Sequence, residues 1–507
     1  MTTRPTTYRP VTIFDGVFAA AARFPSKVAI IDGERRLPYR ALAERARRVA
    51  AGAHARVGGV RGHTAMMLPN CLELMEIIGG LATAGLPPAT INHQSTAREL
   101  AHICNNAGAR LLFAHVDQEA VVREATLDTV EEIILVGGNY EDWLSRAQPV
   151  DRSYGIEEWD TFALHYTSGT TGAPKGALVP HRSRVHVMFG MASEYQCFGP
   201  EDRGLAVCPL TTGGGFTFGL APIFFGGTLV VMPRFDAEQA LRLIEAERIT
   251  NINIVPTHAD RFLRLGEAPF RRYDRRSLKV MVSGGAAFPI ELKEKTIALF
   301  GPDVLHELYG STEGGIFTNL RPADQRRKPN SVGQLFPMIE ARYLDESGND
   351  VAPGEAGDFF SRSPYHFNGY WKNPEATREL FRGEWITVGD VAYADEEGYV
   401  HIVGRRKDMI ISGGANVYPA EIEQVLTAHP LVAEAAIVGV PDPQWGEAVR
   451  AFVALKPGAA LTAEDLAQHC RRMLSGYKVP KSFRFLDKLP RDRAMGKIQR
   501  KLLREQP

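Results

Sequence analysis

Apolar runs that read as strands alternate with helix-like segments over the first 330 residues. Residues 41–55 carry alanine and arginine at helical spacing, residues 64–68 read as a buried strand, and residues 71–84 return to the helical pattern. Further strand-like runs lie at residues 111–114, 133–136, 251–255 and 279–282. Strands separated by helices are typical of parallel βαβ units with both faces of the sheet covered. The pattern therefore predicts an α/β fold for this part of the chain.

The pattern changes after residue 330 and again at Ala420. Shorter strands separated by turns, as at residues 345–348 and 395–398, predict a small barrel-like subdomain. From Ala420 the chain reads helix, strand, strand, helix, the last three at residues 435–440, 451–455 and 463–474. This length suffices for a separate domain of about 100 residues.

Residues 216–232 carry no charge but are too few for a comfortable membrane span. Glycines and one proline divide them into a helix-like half and a strand at residues 228–232, so we predict buried core. The first ten residues lack the apolar segment of a secretory signal.

Composition narrows the class of protein. A chain of 507 residues with 44% hydrophobic and 23% charged residues is ordinary for a soluble globular protein of at least two domains. The formal net charge of zero gives no argument for binding to nucleic acid or to an anionic membrane. Five scattered cysteines without CxxC spacing fit reduced thiols and argue against a zinc site. The expected location is cytoplasmic.

A run of hydroxyl residues and glycines lies between Tyr166 and Gly176. Its candidate phosphate-binding residues are Thr167, Ser168, Gly169, Thr170, Thr171 and Lys175. Glycines let a backbone approach an anion, hydroxyls and amide N–H groups donate to phosphate oxygens, and the lysine adds a mobile charge. The run is not the P-loop pattern GxxxxGK[ST]. The strand-like residues 162–166 before it favour a phosphate-binding loop over a flexible linker.

Further motifs follow this loop in order. They are Tyr309-Gly310-Ser311-Thr312-Glu313, Gly389-Asp390, Gly404-Arg405-Arg406-Lys407-Asp408, Gly413-Gly414-Ala415-Asn416-Val417-Tyr418-Pro419, Leu489-Pro490-Arg491 and Gly496-Lys497-Ile498. With the loop, they resemble the signatures of the adenylate-forming superfamily, which contains the acyl- and aryl-CoA synthetases, firefly luciferase and the peptide-synthetase adenylation domains. The resemblance covers nearly the whole chain and is closest to the acyl-CoA synthetases.

The resemblance implies an α/β fold with a large N-terminal domain of two αβαβα-type layers plus a small β-barrel, and a small mobile α+β C-terminal lid. Residues 1–404 would bind the adenylate and the acyl group, and residues 405–507 would form the lid. In this family the lid rotates between an adenylating and a thioester-forming orientation. The hinge residue falls at Lys407.

The resemblance also implies the nucleotide site. Besides the loop, the residues implied in ATP or AMP binding are Gly284, Gly285, Ala286, Glu307, Tyr309, Gly310, Ser311, Asp390 and Arg405. Adenine would lie between Gly284-Gly285-Ala286 and Tyr309, and Asp390 would hold both ribose hydroxyls, since a carboxylate accepts two hydrogen bonds. Thr312 would touch the α-phosphate, and Glu313 would hold Mg²⁺, which prefers hard oxygen ligands. The alternative interpretation of Glu313 is an acid at a helix N-terminus, where the helix dipole favours it; within this motif the functional role is favoured.

The C-terminal motifs imply the two half-reactions. Lys497 matches the family lysine that bridges the carboxylate and the α-phosphate during adenylation, where an ammonium offsets charge on both reactants; otherwise it is one more lysine of a basic tail. Gly413 and Gly414 match the turn that lines the pantetheine tunnel in the thioester step. Tyr477 and Lys481 stand where relatives place CoA-contacting side chains, although both positions are also compatible with plain surface.

The segment that would form the acyl pocket departs from the family pattern. Relatives usually place an aromatic residue or histidine as a gate after a Pro-Leu pair, whereas here the gate would be Thr212, followed by Gly213 and Gly214. Missing side chains there and at Gly314 would leave volume, which favours a bulky apolar acid that is aromatic, polycyclic or long and branched. An amino-acid substrate is disfavoured. Adenylation domains usually place an aspartate near the gate to bind the α-ammonium group, and Gly213 cannot supply that charge.

The implied activity is that of an ATP-dependent acid–thiol ligase, an AMP-forming acyl-CoA synthetase that uses ATP, Mg²⁺ and coenzyme A. Val388 and Met495 also replace the usual threonines. With Thr212, they leave open an enzyme efficient only in the thioester half-reaction from a preformed acyl-adenylate. Acyl transfer to a carrier protein is a further alternative. A non-catalytic scaffold would not need Lys175, Glu313, Asp390, Arg405 and Lys497 together. The implied partners are a carboxylic acid, ATP and CoA, without nucleic acid or membrane span, and a homodimer is an open option.

Overall fold

The computed structural model of the protein describes residues 9–58, 62–149, 154–167, 174–412, 415–491 and 498–506. The chain divides into two compact units. The first comprises residues 1–340 and 362–386, and the second comprises residues 341–361 and 387–507. The boundary after residue 404 that the resemblance implies stays a prediction.

The first unit contains most of the helices and strands. Its helices are α1 Asp15–Arg23, α2 Tyr39–Val57, α3 Leu72–Ala84, α4 Ala97–Ala107, α5 Glu119–Glu124, α6 Tyr140–Arg146, α7 His181–Tyr195, α8 Gly213–Phe224, α9 Ala237–Ala246, α10 Pro256–Arg264, α11 Glu267–Arg272, α12 Ile290–Phe300 and α13 Pro374–Leu380. Its strands are β1 Val28–Asp32, β2 Arg35–Pro38, β3 His63–Met67, β4 Pro88–Ile91, β5 Ala109–His115, β6 Glu132–Val136, β7 Thr161–Thr167, β8 Lys175–Pro180, β9 Arg203–Ala206, β10 Thr228–Val231, β11 Asn251–Ile254, β12 Val280–Ser283, β13 Leu305–Ser311, β14 Gly315–Leu320, β15 Gln334–Leu335, β18 Phe381–Arg382 and β19 Trp385–Ile386.

The second unit is smaller. Its strands are β16 Glu340–Leu344, β17 Gly357–Arg362, β20 Asp390–Ala394, β21 Val400–Arg405, β22 Ile410–Ser412, β23 Ala415–Val417, β24 Val432–Asp442, β25 Gly446–Leu455 and β26 Ser482–Phe485. Its helices are α14 Pro419–Thr427, α15 Ala463–Met473 and α16 Arg500–Arg504. The predicted reset at Ala420 is confirmed, since α14, β24, β25 and α15 follow in the predicted order.

The two sheets of the first unit have the alternation that the sequence predicts. One has the strand order β6-β5-β3-β4-β7-β8, and the other has the order β15-β14-β13-β12-β11-β9-β10-β1-β2. The strands β6-β5-β3-β4-β7 of the first sheet pair in parallel, as do β13-β12-β11-β9-β10-β1 of the second. The outer strands β8, β2 and β14 pair antiparallel with β7, β1 and β13. Apolar side chains of both faces are buried, as parallel sheets covered by helices require.

The uncharged segment 216–232 is buried core, as predicted. It divides into the end of α8 and the strand β10, with Gly226 and Gly227 between them. Gly226 has a φ of 90°, which few other residues adopt. Within the described residues, no helix is long and apolar enough to cross a membrane.

Several of the predicted site segments of the first unit follow strands of the sheet that runs from β15 to β2, at the carboxyl edge of that sheet. The chain order changes direction at β9, because β10 lies on one side of it and β11 on the other. Crevices for ligands form at such switch points. The Thr212–Gly214 segment follows β9, Gly284 follows β12 and the Tyr309–Glu313 motif ends β13. The topology therefore brings three segments far apart in sequence to one edge.

The second unit contains two sheets. In one, β16 pairs with β17, β17 with β20 and β20 with β21. In the other, the order is β23-β22-β25-β24, and β26 pairs with β25. Helices α14 and α15 cover the second sheet and share its core, which includes Ile422, Leu466 and Val453.

Candidate active site

The predicted phosphate-binding loop connects two antiparallel strands. Strand β7 ends at Thr167 and β8 begins at Lys175, and these two residues are opposite each other in the pairing. The buried strand predicted at residues 162–166 is confirmed, since β7 lies beside β4 within the sheet. Ser168, Gly169, Thr170 and Thr171 lie outside the described residues. Lys175 places its Nζ 5.3 Å from the centre of the Tyr370 ring.

The Tyr309–Glu313 motif forms the end of a β-hairpin. Strand β13 ends at Ser311 and β14 begins at Gly315, so Thr312 and Glu313 lie in the turn. Gly310 is required there, because a Cβ atom on it would lie 2.3 Å from the Gly315 carbonyl oxygen. The Ser311 hydroxyl accepts a hydrogen bond from the Gly314 N–H at 2.9 Å. The alternative interpretation of Glu313 as a helix N-terminal acid is therefore wrong.

Tyr370 connects the predicted phosphate lysine to the predicted metal-binding carboxylate. Its hydroxyl donates to Glu313 Oε1 at 2.6 Å, while its ring faces Lys175. The Phe367 N–H donates to the Glu313 carbonyl oxygen at 2.8 Å and fixes the backbone of the turn. Sequence reasoning missed Tyr370, because it lies 57 residues from Glu313 and belongs to none of the motifs.

The residues predicted to hold adenine lie at the ends of neighbouring parallel strands. Gly284 follows β12, and a Cβ atom on it would lie 2.8 Å from the Leu308 side chain of β13. Gly285 has a φ of 81°, and both Gly285 and Ala286 are exposed. Tyr309 lies next to Leu308, with its ring 5.1 Å from that of Phe317. The strand pairing thus brings both predicted sides of the slot to one edge.

Glu307 differs from the other predicted nucleotide residues because its carboxylate is engaged within the fold. The side chain is buried, and Lys293 Nζ forms an ion pair with it at 3.0 Å. Burial raises the pKa of Glu307, and Lys293 opposes that rise. Lys293 also donates to the Pro329 carbonyl oxygen at 3.0 Å. The pair stabilises the start of β13.

The segment predicted to line the acyl pocket is held by hydrogen bonds that the sequence did not reveal. Asn70 follows β3, and its side chain accepts from the Leu210 N–H at 2.8 Å and donates to the Cys208 carbonyl oxygen at 3.0 Å. Thr212 begins α8, and its hydroxyl accepts from the Gly215 N–H at 3.2 Å. A threonine at this position is typical of a helix N-cap. Thr212 thus orients the first turn of α8.

The glycines of this region differ in the space that they leave. Nothing lies within 4 Å of a Cβ atom built on Gly214, and one on Gly213 would make ordinary contacts. A Cβ atom on Gly314 would lie 2.2 Å from the Phe317 ring, and one on Gly315 would lie 2.8 Å from Tyr365. A side chain could therefore be accommodated at Gly213 and Gly214, and a pocket for the acyl group there stays a prediction. At Gly314 the expectation is wrong, because an aromatic ring already fills the space.

Arg184 is a further residue of this region that sequence reasoning missed. It lies in the first turn of α7, only 3% exposed, and its Nη2 donates to the Thr312 carbonyl oxygen at 2.9 Å. A Cβ atom on Gly213 would lie 3.6 Å from the same nitrogen. Burial lowers the pKa of Arg184 to about 10, and the Glu313 charge opposes that shift. The side chain therefore remains a cation at neutral pH.

The candidate residues of the second unit form their own cluster. Asp390 begins β20 and is opposite Arg405 at the end of β21, and Arg405 Nε lies 3.0 Å from Asp390 Oδ1. Gly389 before it has a φ of 78°, and its carbonyl oxygen accepts from the Arg406 N–H at 2.9 Å. Arg406 also forms an ion pair with Asp358 at 2.6 Å. Lys407 lies in the single turn Arg406–Asp408 that follows β21.

The residues predicted to contact CoA lie on the surface of the second unit. Tyr477 is 46% exposed, and Lys481 places its Nζ 5.1 Å from the centre of the Trp445 ring. Gly413, Gly414, Met495 and Lys497 lie outside the described residues.

Both compact units contain matches to known sequence families. The profile of the family described as AMP-binding enzyme matches residues 17–371. The profile of the AMP-binding enzyme C-terminal domain matches residues 421–496. The two matches follow each other in the order that the motifs predict.

Individual relatives match over nearly their whole length. A long-chain-fatty-acid–CoA ligase of Yersinia pestis is 32% identical over 96% of this chain and 93% of its own. A 3-[(3aS,4S,7aS)-7a-methyl-1,5-dioxo-octahydro-1H-inden-4-yl]propanoyl:CoA ligase of Rhodococcus jostii (strain RHA1) is 32% identical over 99% of both chains. Among solved structures, the ATP-bound RpMatB–BxBclM chimera B1 superposes with a TM-score of 0.90 at 30% identity, over 98% of this chain and 99% of its own.

Proposed function

This chain belongs to the family of AMP-binding enzymes and is an ATP-dependent acyl-CoA ligase, and we propose that it activates a bulky carboxylic acid through an acyl-adenylate. The observation that carries the proposal is the contact chain from Lys175 through Tyr370 to Glu313. In this chain of contacts the Lys175 cation and the Glu313 carboxylate both contact the Tyr370 side chain, beside a glycine-containing loop. Two anions must meet during adenylation, and such a site supplies the positive charge and aligned donors that this requires.

The loop at residues 167–175 would hold the β- and γ-phosphates, with Lys175 as its charge. The hydrogen bond from Tyr370 fixes one oxygen of Glu313 and leaves the other oxygen to act as a ligand. Mg²⁺ is typically held by one or two carboxylates together with phosphate oxygens. In keeping with this, the described residues contain no cluster of three or more acidic, histidine or cysteine side chains that could hold a metal by itself. Bound there, the ion would neutralise charge on the phosphates.

In the second unit, Asp390 would bind the ribose hydroxyls. Its ion pair with Arg405 orients the carboxylate, whose oxygens can accept hydrogen bonds from a diol. Lys497 would bridge the carboxylate and the α-phosphate. Gly413, Gly414, Tyr477 and Lys481 would contact CoA, and Lys407 would be the hinge between the two half-reactions.

The acid substrate of this proposal is bulky and apolar. Support comes from Gly213 and Gly214, where the structure leaves space next to Thr212, and not from Gly314. The relative of Rhodococcus jostii whose name specifies a bicyclic propanoyl group is in agreement with this.

Carboxylate-dependent ATP–pyrophosphate exchange with Mg²⁺ tests the proposal. The panel is acetate, hexanoate, dodecanoate, hexadecanoate, benzoate and 3-cyclohexylpropanoate. We expect exchange with at least one of the larger acids and loss of about 100-fold in Lys497→Ala, since one charge on the reacting groups is removed. Lys501→Ala, in the same basic tail, is the matched control and should be unaffected. Exchange with acetate alone would contradict the bulky substrate.

Absence of ATP–pyrophosphate exchange with every acid of the panel would contradict adenylation. Synthetic dodecanoyl-adenylate supplied with CoA then shows whether the chain performs only the thioester step. Replacing CoA by a phosphopantetheinyl carrier protein in the same assay identifies the acceptor.

A further inference from the structure

Arg184 carries a buried positive charge without an acidic partner. Its Nη1 donates to the Ser183 hydroxyl at 2.8 Å and its Nη2 donates to the Thr312 carbonyl oxygen at 2.9 Å. Both acceptors are neutral. Among the described residues, no aspartate or glutamate forms an ion pair with the guanidinium, and Glu313 acts on it only through its charge at longer range.

Such an arrangement is costly unless an anion completes it. A guanidinium has five N–H donors, and among the described residues only the two hydrogen bonds named above involve it. Buried charges in folded proteins are normally paired, because desolvation of an unpaired ion is unfavourable. A counter-charge supplied by a bound ligand would remove that cost when the site is filled. The position is therefore suited to an anionic ligand.

The space next to the guanidinium opens toward the acyl segment. A Cβ atom on Gly213 would lie 3.6 Å from Arg184 Nη2 and 3.5 Å from Thr312 Oγ1, which are ordinary contact distances. A ligand oxygen near this point would face a cationic donor on one side and a hydroxyl on the other. Beyond it, Gly214 is exposed and leaves open space. An acid could thus enter past Gly214 with its carboxylate leading.

We propose that Arg184 binds the carboxylate of the acid substrate before activation, and the proposal rests on the proposed adenylation function. Arg184 holds one carboxylate oxygen while the other attacks the α-phosphorus of ATP. The new carbon–oxygen–phosphorus linkage forms as the bond to pyrophosphate breaks, and the carboxylate charge leaves with the pyrophosphate. After this step the acyl group is neutral and no longer needs Arg184. The residue should therefore matter for the free acid and not for the adenylate.

Arg184→Met tests the proposal, with Arg182→Met on the same helix turn as the matched control. The probes are dodecanoate and dodecanamide, which share the same chain, while the amide head group is neutral and has an NH2 donor in place of one carboxylate oxygen. Their binding to the full-length protein is measured by calorimetry, which requires no turnover. We expect the wild type to prefer the acid and Arg184→Met to lose about 30-fold of that preference, as loss of a charged hydrogen-bonded partner implies. Arg182→Met should keep the preference.

Kinetics then separate binding from the rest of the reaction. In Arg184→Met, the KM for the acid in pyrophosphate exchange should rise by about tenfold or more, and the KM for ATP should stay within about twofold. Thioester formation from synthetic dodecanoyl-adenylate and CoA should stay near the wild-type rate. Arg184→Lys should restore part of the preference for the acid.

Two results would overturn the proposal. One is an unchanged preference for acid over amide in Arg184→Met, which would mean that Arg184 binds another part of the substrate or none. The other is an equal loss in both half-reactions, which would mean a general structural role. Exchange by the wild-type protein decides the proposed function separately, so failure of that function and failure of this proposal are distinguishable.

Discussion

Two arginines of the first unit show opposite arrangements of charge. Arg45 donates from Nε to Glu76 Oε2 at 2.6 Å and from Nη2 to Glu76 Oε1 at 2.8 Å, and it also donates to Glu141. The Tyr140 hydroxyl adds a third donor to Glu76 at 2.6 Å. Arg184 is more deeply buried than Arg45, yet among the described residues it meets only a serine hydroxyl and a carbonyl oxygen.

The difference distinguishes an arginine that stabilises the fold, Arg45, from one that is suited to bind a ligand, Arg184. The Arg45 network joins α2, α3 and α6. The positive charge of Arg45 is paired with carboxylates of the fold itself, so no ligand is needed to balance it. The Arg184 site lacks a negative partner among the described residues and opens toward Gly213 and Gly214. A buried network in which every charge has a partner stabilises the fold. A buried cation without a negative partner can still bind an anionic ligand.

The largest expected effect comes from breaking the complete network. Glu76→Gln should lower the free energy of unfolding by about 3 kcal/mol, because Arg45 loses its fully buried counter-charge. Urea unfolding followed by tryptophan fluorescence measures this. Glu44→Gln is the control, since Glu44 is 52% exposed where it pairs with Arg48 and should change stability by about 0.5 kcal/mol or less. Equal stability of the two variants would contradict the comparison.

The second-largest effect is expected when a carboxylate is introduced beside Arg184. Gly213→Asp places a carboxylate beside Arg184, at the first position of α8 where an acid is also favoured by the helix dipole. We expect the melting temperature to hold or rise, while exchange with the best acid falls by about 100-fold through like-charge repulsion. Gln239→Asp, at an exposed position in the first turn of α9, is the matched control. Comparable activity of the two variants would argue against an anion site at Arg184.

A smaller effect is expected at the contact between Tyr370 and Glu313. Tyr370→Phe removes the hydroxyl that donates to Glu313 Oε1, so exchange should slow by about tenfold and require more Mg²⁺. Titration of Mg²⁺ in the exchange assay measures both changes. Tyr273→Phe removes a similar hydrogen bond, from Tyr273 to Glu238, away from the site. If the two variants behave alike, Tyr370 has no special part in metal binding.

The smallest effect concerns pH. Burial lowers the pKa of His165 and of His181 to about 3, and Arg184 lowers that of His165 further in the same direction. Below the ordinary histidine pKa the unfolded chain binds protons that the folded chain does not, so stability is present above pH 6.5 and is lost as the pH falls. We expect a loss of about 1 kcal/mol for each histidine between pH 7.5 and 5.5. His181→Asn should flatten this dependence in urea unfolding, and an unchanged slope would contradict the assignment.

The sequence by itself determined the elements and the motifs. Short apolar runs indicated β3, β5 and β11, and the glycines after Phe224 indicated the end of α8, because these patterns act locally. The motifs at Lys175, Glu313 and Asp390 were readable for the same reason, since each depends on residues that are neighbours in the chain.

Only the tertiary structure decided which side chains meet. Tyr370 reaches Glu313 from 57 residues away, and Arg184 reaches Thr312 from 128 residues away. The sequence also gave no sign that Phe317 fills the space at Gly314 while the space at Gly214 stays open. Burial, pairing of charges and leftover volume depend on the packing of distant segments, and a linear pattern carries no information on distance in space.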